Sequence, residues 1–337
     1  METVSCDLCG STEYRFYLQS RDYINKREGL FSVVRCNTCG LLFTNPRPDK
    51  EEISEFYPPS TPYYTPNEDV LKPVKQVSGI YKILLQYFRN YFPEQPKRLF
   101  YRILYYPIYI IKKHKFDAEG IPYYVKNGRL LEIGCSYGKF LYTMKKLGWQ
   151  CDGIEMSQHA STIGRSLFNL NIVTENIDEV EFDSNIYDAI IMRMVLEHVH
   201  SPNTVLKKIA HCLKPGGQLI ITVPDISGFE ARLFSRYFYS LHLPNHLYHF
   251  SPETLNEYLK KHDLRTNKIY CHRSDADFRG SIDNFLENNR HFFVLRFLKW
   301  GFLKMFIRFF IVFLSLIYRT GRMTVFTTRV ENKNRNE

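Results

Sequence analysis

Long hydrophobic runs are missing from this chain. The longest strongly apolar stretch, Phe309 to Tyr318 between Arg308 and Arg319, is ten residues, about 15 Å of helix where the hydrocarbon core of a bilayer needs about 30 Å, so a membrane span is excluded. The first residues, Met1-Glu2-Thr3-Val4-Ser5-Cys6, have neither a basic start nor an apolar run of signal length, and no secretory leader is expected. Cysteines suited to a disulfide framework are also lacking: of eight, Cys135, Cys151, Cys212 and Cys271 are scattered singly. A reducing, cytoplasmic compartment is therefore expected. Acid is nearly absent from two segments. Residues 71–116 hold ten Lys/Arg against Glu94 alone, and residues 291–330 hold seven with no acid, so the rest of a chain of net charge +10 is mildly acidic at −6. A hydrophobic content of 44% over 337 residues supplies a core for about two domains and excludes wholesale disorder.

The other four cysteines are paired. Cys6 and Cys9, then 26 residues, then Cys36 and Cys39 read CDLCG and CNTCG. Two thiolates three apart bend round one metal, Gly10 and Gly40 allow the left-handed backbone that follows each pair, and four sulfurs close a tetrahedral zinc site with no open position. Such a site is structural. Strand-like runs at Tyr14 to Leu18 and Phe31 to Val34 would form the small sheet of a zinc ribbon, which is too small to fold without its metal. Four buried free thiols would leave the repeated CxxCG spacing unexplained, and a redox CxxC belongs at a strand-to-helix turn. The ribbon is expected over 1–48.

Residues 49–125 begin as a proline-rich connector (Pro58, Pro59, Pro62, Pro66) and continue as two basic helices rich in Tyr and Phe. Lys75, Lys82, Gln86 and Arg89 share one helical face, and Pro107 should kink or split the second helix. Either these helices cap the next domain with a solvated basic edge, or they meet an anionic lipid or lipid-linked substrate.

From Arg129 onward strands and helices alternate. Leu130 to Gly134 is a short strand, Cys135-Ser136-Tyr137-Gly138 a tight turn into the helix Lys139 to Leu147, and further strands follow at Gln150–Ile154, 171–174, Tyr187–Met192 and 219–223. This succession predicts an α/β, Rossmann-like doubly wound sheet with its ligand at the carboxyl ends of the strands. A dinucleotide fingerprint would need glycine at positions 136 and 139, where the chain has Ser136 and Lys139, so NAD is disfavoured. What is present is Glu132-x-Gly134-x-x-x-Gly138, with Glu155 ending the second strand 17 residues later.

With these motifs (LLEIGCSYGKFL, GIEMS, YDAIIMRMVLEHVHSPN, LKPGGQLIITVP) the chain resembles the class I S-adenosylmethionine-dependent methyltransferases over roughly 126–330. The resemblance implies that Gly134, Cys135, Ser136 and Gly138 form the cofactor loop, that Glu155 takes the ribose hydroxyls, and that Met156 packs near the adenine. It also implies that Glu132 orders the loop and the cofactor's amino group, that Glu175 and Asn176 read the adenine edge, and that Arg193, ending the fourth strand, belongs to the same site. Ser136 departs from the glycine many members have. The ribbon fits a bacterial branch of these enzymes whose ribbon ends CxxCGLxFxNPRP, here CNTCGLLFTNPRP, and which carries LPNHLYHFSPETL after strand five. Members of that branch often methylate sugars, lipids or other small molecules.

Methyl transfer from a sulfonium needs a base only for a hydroxyl or an acidic carbon. His198, His246 and His249 are the candidates, with Glu197 and His242 beside them, and each histidine could equally hold a lid or cap a helix. His246 and His249 lack a third ligand nearby in sequence and are not read as a metal pair. An N-P-P-[YF] motif after strand four is absent, the site reading Arg193-Met194-Val195-Leu196 instead, and the ribbon carries six Lys/Arg against five acids; nucleic acid is therefore a poor fit as partner. The expected acceptor is a small molecule, sugar or glycan intermediate, with a lipid-linked or quinone-like acceptor at the membrane surface as the alternative. A helical insertion at about 281–319, basic and aromatic, completes the expectation: it is buried against the basic helices or a second subunit, or lies on an anionic membrane.

Overall fold

The computed structural model describes residues 1–57, 79–91, 99–273, 275–289, 309–314 and 317–331, the side chain of Ser54 excepted. Strands β1 (Tyr14–Ser20), β2 (Phe31–Cys36) and β3 (Leu42–Thr44) form an antiparallel sheet, Tyr14 opposite Cys36 and Val34 opposite Phe43. Helices α1 (Gly79–Phe88) and α2 (Leu99–Ala118) follow. α2 runs through Pro107 without a break; the carbonyl left without a partner is that of Ile103, an exposed residue, where water can satisfy it.

The alternating part then builds one large sheet. It contains β4 (Arg129–Ile133), α3 (Lys139–Lys146), β5 (Gln150–Ile154), α4 (Gln158–Phe168), β6 (Asn171–Val173), β7 (Tyr187–Arg193), α5 (Pro202–Cys212) and β8 (Leu213–Pro224). After the short α6 (Phe229–Phe234) comes a two-residue strand β9 (Tyr248–His249), then α7 (Pro252–Lys261), β10 (Leu264–Cys271), α8 (Ala276–Asn288) and β11 (Arg322–Arg329). The order across the seven strands is β10-β11-β8-β7-β4-β5-β6. β11 is antiparallel to both neighbours and the remaining pairs are parallel. The expected doubly wound α/β sheet is thus present. β4 pairs β5 on one side and β7 on the other, so the winding reverses there and a crevice opens beyond its carboxyl end.

Side chains alternate along each strand, which buries both faces. Leu131, Ile133, Ile190, Met192, Leu219 and Ile221 face a core shared with α5, α7 and the ribbon residues Cys6, Leu8, Val34 and Phe43. Leu130, Ala189, Ile191 and Ile220 face the other way, onto α3, onto Leu84, Leu85 and Phe116 of the basic helices and onto Tyr91 just after α1. Arg89, read above as part of a basic face with Lys75 and Lys82, is buried with its Nη2 2.5 Å from Asp117 Oδ1. The sequence pattern could not register that a carboxylate 28 positions later neutralises it. The ribbon's sheet takes its fourth strand, β9, from the segment between α6 and α7. Of the expected insertion, α8 and a helical stretch at 309–314 are described, and 290–308 lies outside the described residues. Among the described residues no helix is long and apolar enough to cross a membrane.

Candidate functional site

A cavity of about 480 Å³ lies at the carboxyl ends of β4, β5 and β7. One end is built by the turn after β4. Gly134 has φ +70°, and the amides of Gly134 and Cys135 bond the carbonyl of Ile154 at 2.8 and 3.2 Å. A Cβ on Gly134 would lie 2.4 Å from Val195 Cγ2, so any side chain there meets both strain and a clash. Ser136 adopts the left-handed φ of +49° that glycine would take freely, at a cost of roughly 1 kcal/mol. Its amide donates to Glu155 Oε2 at 2.8 Å, and the amide of Ser157 donates to Oε1 at 2.9 Å. These two bonds hold Glu155 at the cavity wall and leave each oxygen a further lone pair. Burial raises the pKa of Glu155, opposed by the same backbone amides. Met156, Glu175, Asn176 and Arg193 complete this end.

Three sequence candidates at this end do not line the cavity. Glu132 is buried behind Arg193, taking its Nη2 at 2.5 Å and its Nε at 3.1 Å on Oε1. Burial pushes its pKa up and Arg193 pulls it down. It therefore positions Arg193, whose guanidinium also lies over the Phe140 ring at 4.1 Å. The Cys135 side chain is buried in the core under the sheet, and burial raises its thiol pKa. Gly138, φ +72°, caps α3 where a Cβ would strike Leu170 Cδ1 at 2.4 Å; its freedom seats the helix against β6.

The opposite end is lined by Tyr57, His198, His200, Tyr239, Ser240, His242, His246 and Arg322. The rings of His198 and His246 are 4.5 Å apart at 82°, and those of His242 and His246 are 4.8 Å apart. Burial pushes His198 down to about 4 and His242 to about 3, and holds His246 well below the ordinary range, so all three are neutral near pH 7. Burial conversely raises Glu197, directly behind them, to about 8. His249 does not reach the cavity. It sits in β9, its Nε2 3.2 Å from Thr44 Oγ1. His200, Tyr239 and Arg322 were missed from sequence. His200 ends the LEHVH motif, two positions after His198, and is within reach of sequence reasoning; the other two come from separate elements that the fold brings in.

The ribbon holds this wall. Thr44 Oγ1 donates to the carbonyl of His246 at 2.7 Å, and the Thr44 amide to that of Leu247 at 2.9 Å. Buried Arg47, from the NPRP motif, donates through Nη1 to the His200 carbonyl at 3.0 Å and to Tyr248 Oη at 2.9 Å, and through Nε to Glu2 at 2.8 Å. Within the ribbon the four thiols converge: Cys6 and Cys39 sulfurs are 3.4 Å apart, Cys9 and Cys36 3.5 Å, and all four lie within 4.8 Å of one another. Tetrahedral Zn–S bonds of 2.3 Å set sulfurs about 3.8 Å apart, so the donor set fits zinc. Gly10 and Gly40, at φ +77° and +76°, close the two knuckles by bonding back to the carbonyls of Cys6 and Cys36.

Residues 111–268 match a family described as a methyltransferase domain. Among curated proteins, the chain is 24% identical over 139 residues to a ubiquinone biosynthesis O-methyltransferase of Coxiella burnetii, a match spanning 40% of this chain and 57% of that protein. It is 21% identical over 175 residues to the protein of the same name from Xanthomonas oryzae, spanning 48% and 73%. Among solved structures, it is similar to an S-adenosylmethionine-dependent methyltransferase from Mesorhizobium loti, with 13% identity, TM-score 0.43, and 61% and 92% of the two chains covered. It is also similar to a geranyl diphosphate methyltransferase in complex with GPP and sinefungin, with 13% identity, TM-score 0.46, and 65% and 77% covered.

Proposed function

We propose that this chain, whose residues 111–268 match a methyltransferase-domain family, transfers a methyl group from S-adenosylmethionine to a small-molecule, sugar or glycan-intermediate acceptor. The observation that carries the reading is one cavity with two chemically different ends at the reversal point of the sheet. The turn at Gly134, where a Cβ would strike Val195, presents bare backbone to the cavity, and Glu155 keeps free acceptor capacity for a pair of hydroxyls. Those features fit the cofactor, with Met156, Glu175 and Asn176 beside its adenosine and Arg193 nearby. When bound, S-adenosylmethionine supplies an electrophilic methyl on a sulfonium. The protein's part is to hold an acceptor atom in line with that carbon and exclude water. The imidazole wall receives the acceptor: an unprotonated ring takes the proton that a hydroxyl loses on transfer. The four ribbon cysteines would hold zinc as a structural ion, away from the reaction.

A second acceptor class is favoured by a separate observation. The cavity is also lined by Ile24, Ile53, Ile133, Ile154, Ile177 and Val199, an apolar wall suited to a quinone-like or lipid-linked ring, and two relatives are named for ubiquinone biosynthesis. The test is to incubate the protein with methyl-labelled cofactor and extracts fractionated into nucleotide sugars, lipids and RNA. Label in the sugar fraction supports the first class, label in the lipid fraction the second, and label in RNA alone overturns both.

A further inference from the structure

Behind the histidine wall lies a carboxylate with no counterpart. Glu197 is fully buried, and neither of its oxygens has a hydrogen-bond partner among the described residues. Leaving a buried carboxyl unsatisfied costs several kcal/mol by transfer data, so such groups are normally bonded, paired or bound to a cation. Its backbone is fixed: the Glu197 carbonyl takes the amides of Leu247 at 2.8 Å and Tyr248 at 3.3 Å, which locks this residue to the segment carrying His246. One donor atom each from Glu197, His198 and His246 lie within 4.8 Å of one another.

The two imidazoles are oriented from outside the cluster. His246 Nδ1 is 2.9 Å from the Ser240 carbonyl, and His198 Nδ1 is 3.0 Å from the Asn245 carbonyl, with Tyr57 Oη at 2.5 Å. A carbonyl can only accept, so Nδ1 carries the hydrogen in both rings and the lone pair is on Nε2. A backbone carbonyl fixing the tautomer of a ligating histidine is the usual outer support of a metal site. The Arg322 guanidinium, whose charge acts on Glu197, is bonded through Nη2 to Asp277 Oδ1 at 3.0 Å and makes no hydrogen bond to Glu197. Both histidines line the cavity, which gives an ion an entry path and leaves coordination positions open to water or another oxygen ligand.

We propose that Glu197, His198 and His246 form a second metal site, distinct from the four cysteines, that binds one divalent first-row transition ion. Two imidazoles and one carboxylate with open positions suit manganese, iron(II), cobalt or zinc, and disfavour the soft ions that thiolates select. Donors around an ion at bond lengths of about 2.1 Å stand about 3 Å apart or more, and the three donors here start within 4.8 Å of one another. Where the methyl-transfer reading also holds, the ion lies at the acceptor end, commits both Nε2 lone pairs, and lowers the pKa of a coordinated hydroxyl in place of an imidazole base. The site itself does not depend on that reading, because its test uses neither cofactor nor acceptor.

The experiment is manganese titration of the full-length protein, its cysteine site first filled with one equivalent of zinc, with free Mn²⁺ read by electron paramagnetic resonance. One Mn²⁺ bound per chain is expected, weakened at least tenfold in Glu197→Gln. Cobalt gives a readout that needs no variant: a second equivalent should show weak visible bands without the near-ultraviolet thiolate band of the first. Wild-type protein that binds no Mn²⁺ and takes up one cobalt only, with thiolate bands, overturns the proposal, as does undiminished Mn²⁺ binding in folded Glu197→Gln.

Discussion

Arg47 ties the cysteine ribbon to the histidine wall, and Arg47→Met tests whether that tie matters for the reaction. Methionine keeps most of the buried bulk and removes the guanidinium. Lost are two bonds from a charged donor to buried acceptors, the His200 carbonyl and Tyr248 Oη, while the bond to half-exposed Glu2 counts for little. Each charged-donor bond contributes about 1.5–3 kcal/mol, and the His200 carbonyl keeps the Tyr248 hydroxyl as a donor at 2.9 Å. The net loss is about 3 kcal/mol, roughly 4 °C of melting temperature for a chain of this size. The cofactor end is built on β4 and β5 and shares none of these bonds, so affinity for S-adenosylmethionine should stay within about twofold. The acceptor wall should loosen. Melting curves, cofactor calorimetry and labelled transfer at saturating cofactor read the three quantities separately, and transfer should fall at least tenfold. Unchanged transfer in a variant that melts lower would show Arg47 to be a stability residue, and lost cofactor binding would refute the separation of the two ends.

Three further outcomes follow from the structure. Protein purified without chelator should contain zinc in the cysteine site, removed by Cys36→Ser with cofactor binding intact; a folded, active protein without zinc there would contradict a structural ribbon site. Glu230 is buried, its carboxyl raised to about 7 chiefly by burial against the pull of the Gly321 amide. Its folded pKa exceeds its unfolded one, so the native state holds the extra proton and loses stability as pH rises from about 4.5 through 7, by about 2–3 kcal/mol. Glu230→Gln should melt like wild type at pH 4.5 and higher at pH 8, and equal melting at both pH values would refute the assignment. On α2, Leu99, Phe100, Ile103, Leu104 and Ile111 are exposed beside Arg102 and Lys112. With about 1 kcal/mol per cation near an anionic surface, the protein should sediment with anionic but not neutral liposomes at low salt, and sedimentation with neither would exclude a membrane role.

Local pattern was enough for the sheet and for much of the cavity end built on the turn after β4. Apolar runs located β4, β5 and β7, and Gly134, Glu155, Met156 and Arg193 stand at their carboxyl ends because strand ends and turns are written in neighbouring residues. What failed to show is long-range. His246 and His249 have the spacing of one helical face, yet residues 248 and 249 are drawn into a strand by β3, with Leu42 opposite His249. Alternation along that strand turns His249 to Thr44 and away from the cavity. Glu197 and His246 meet because the Glu197 carbonyl accepts the amides of Leu247 and Tyr248, about 50 positions away, and no periodicity records such a pairing. Gly138 and Cys135 carry the loop motif, but their contacts are to the core, which a motif shared by packing and binding cannot separate.

The central claim is that the turn at Gly134 and the carboxylate of Glu155 form one end of a cofactor site. Titration of the zinc-loaded protein with S-adenosylmethionine in a calorimeter tests it directly. The account predicts one molecule bound per chain, binding abolished by Gly134→Val, and binding weakened by about 1–3 kcal/mol in Glu155→Ala through lost charge-assisted hydrogen bonds. No heat of binding in the wild type, or the same affinity in both variants as in the wild type, would contradict it.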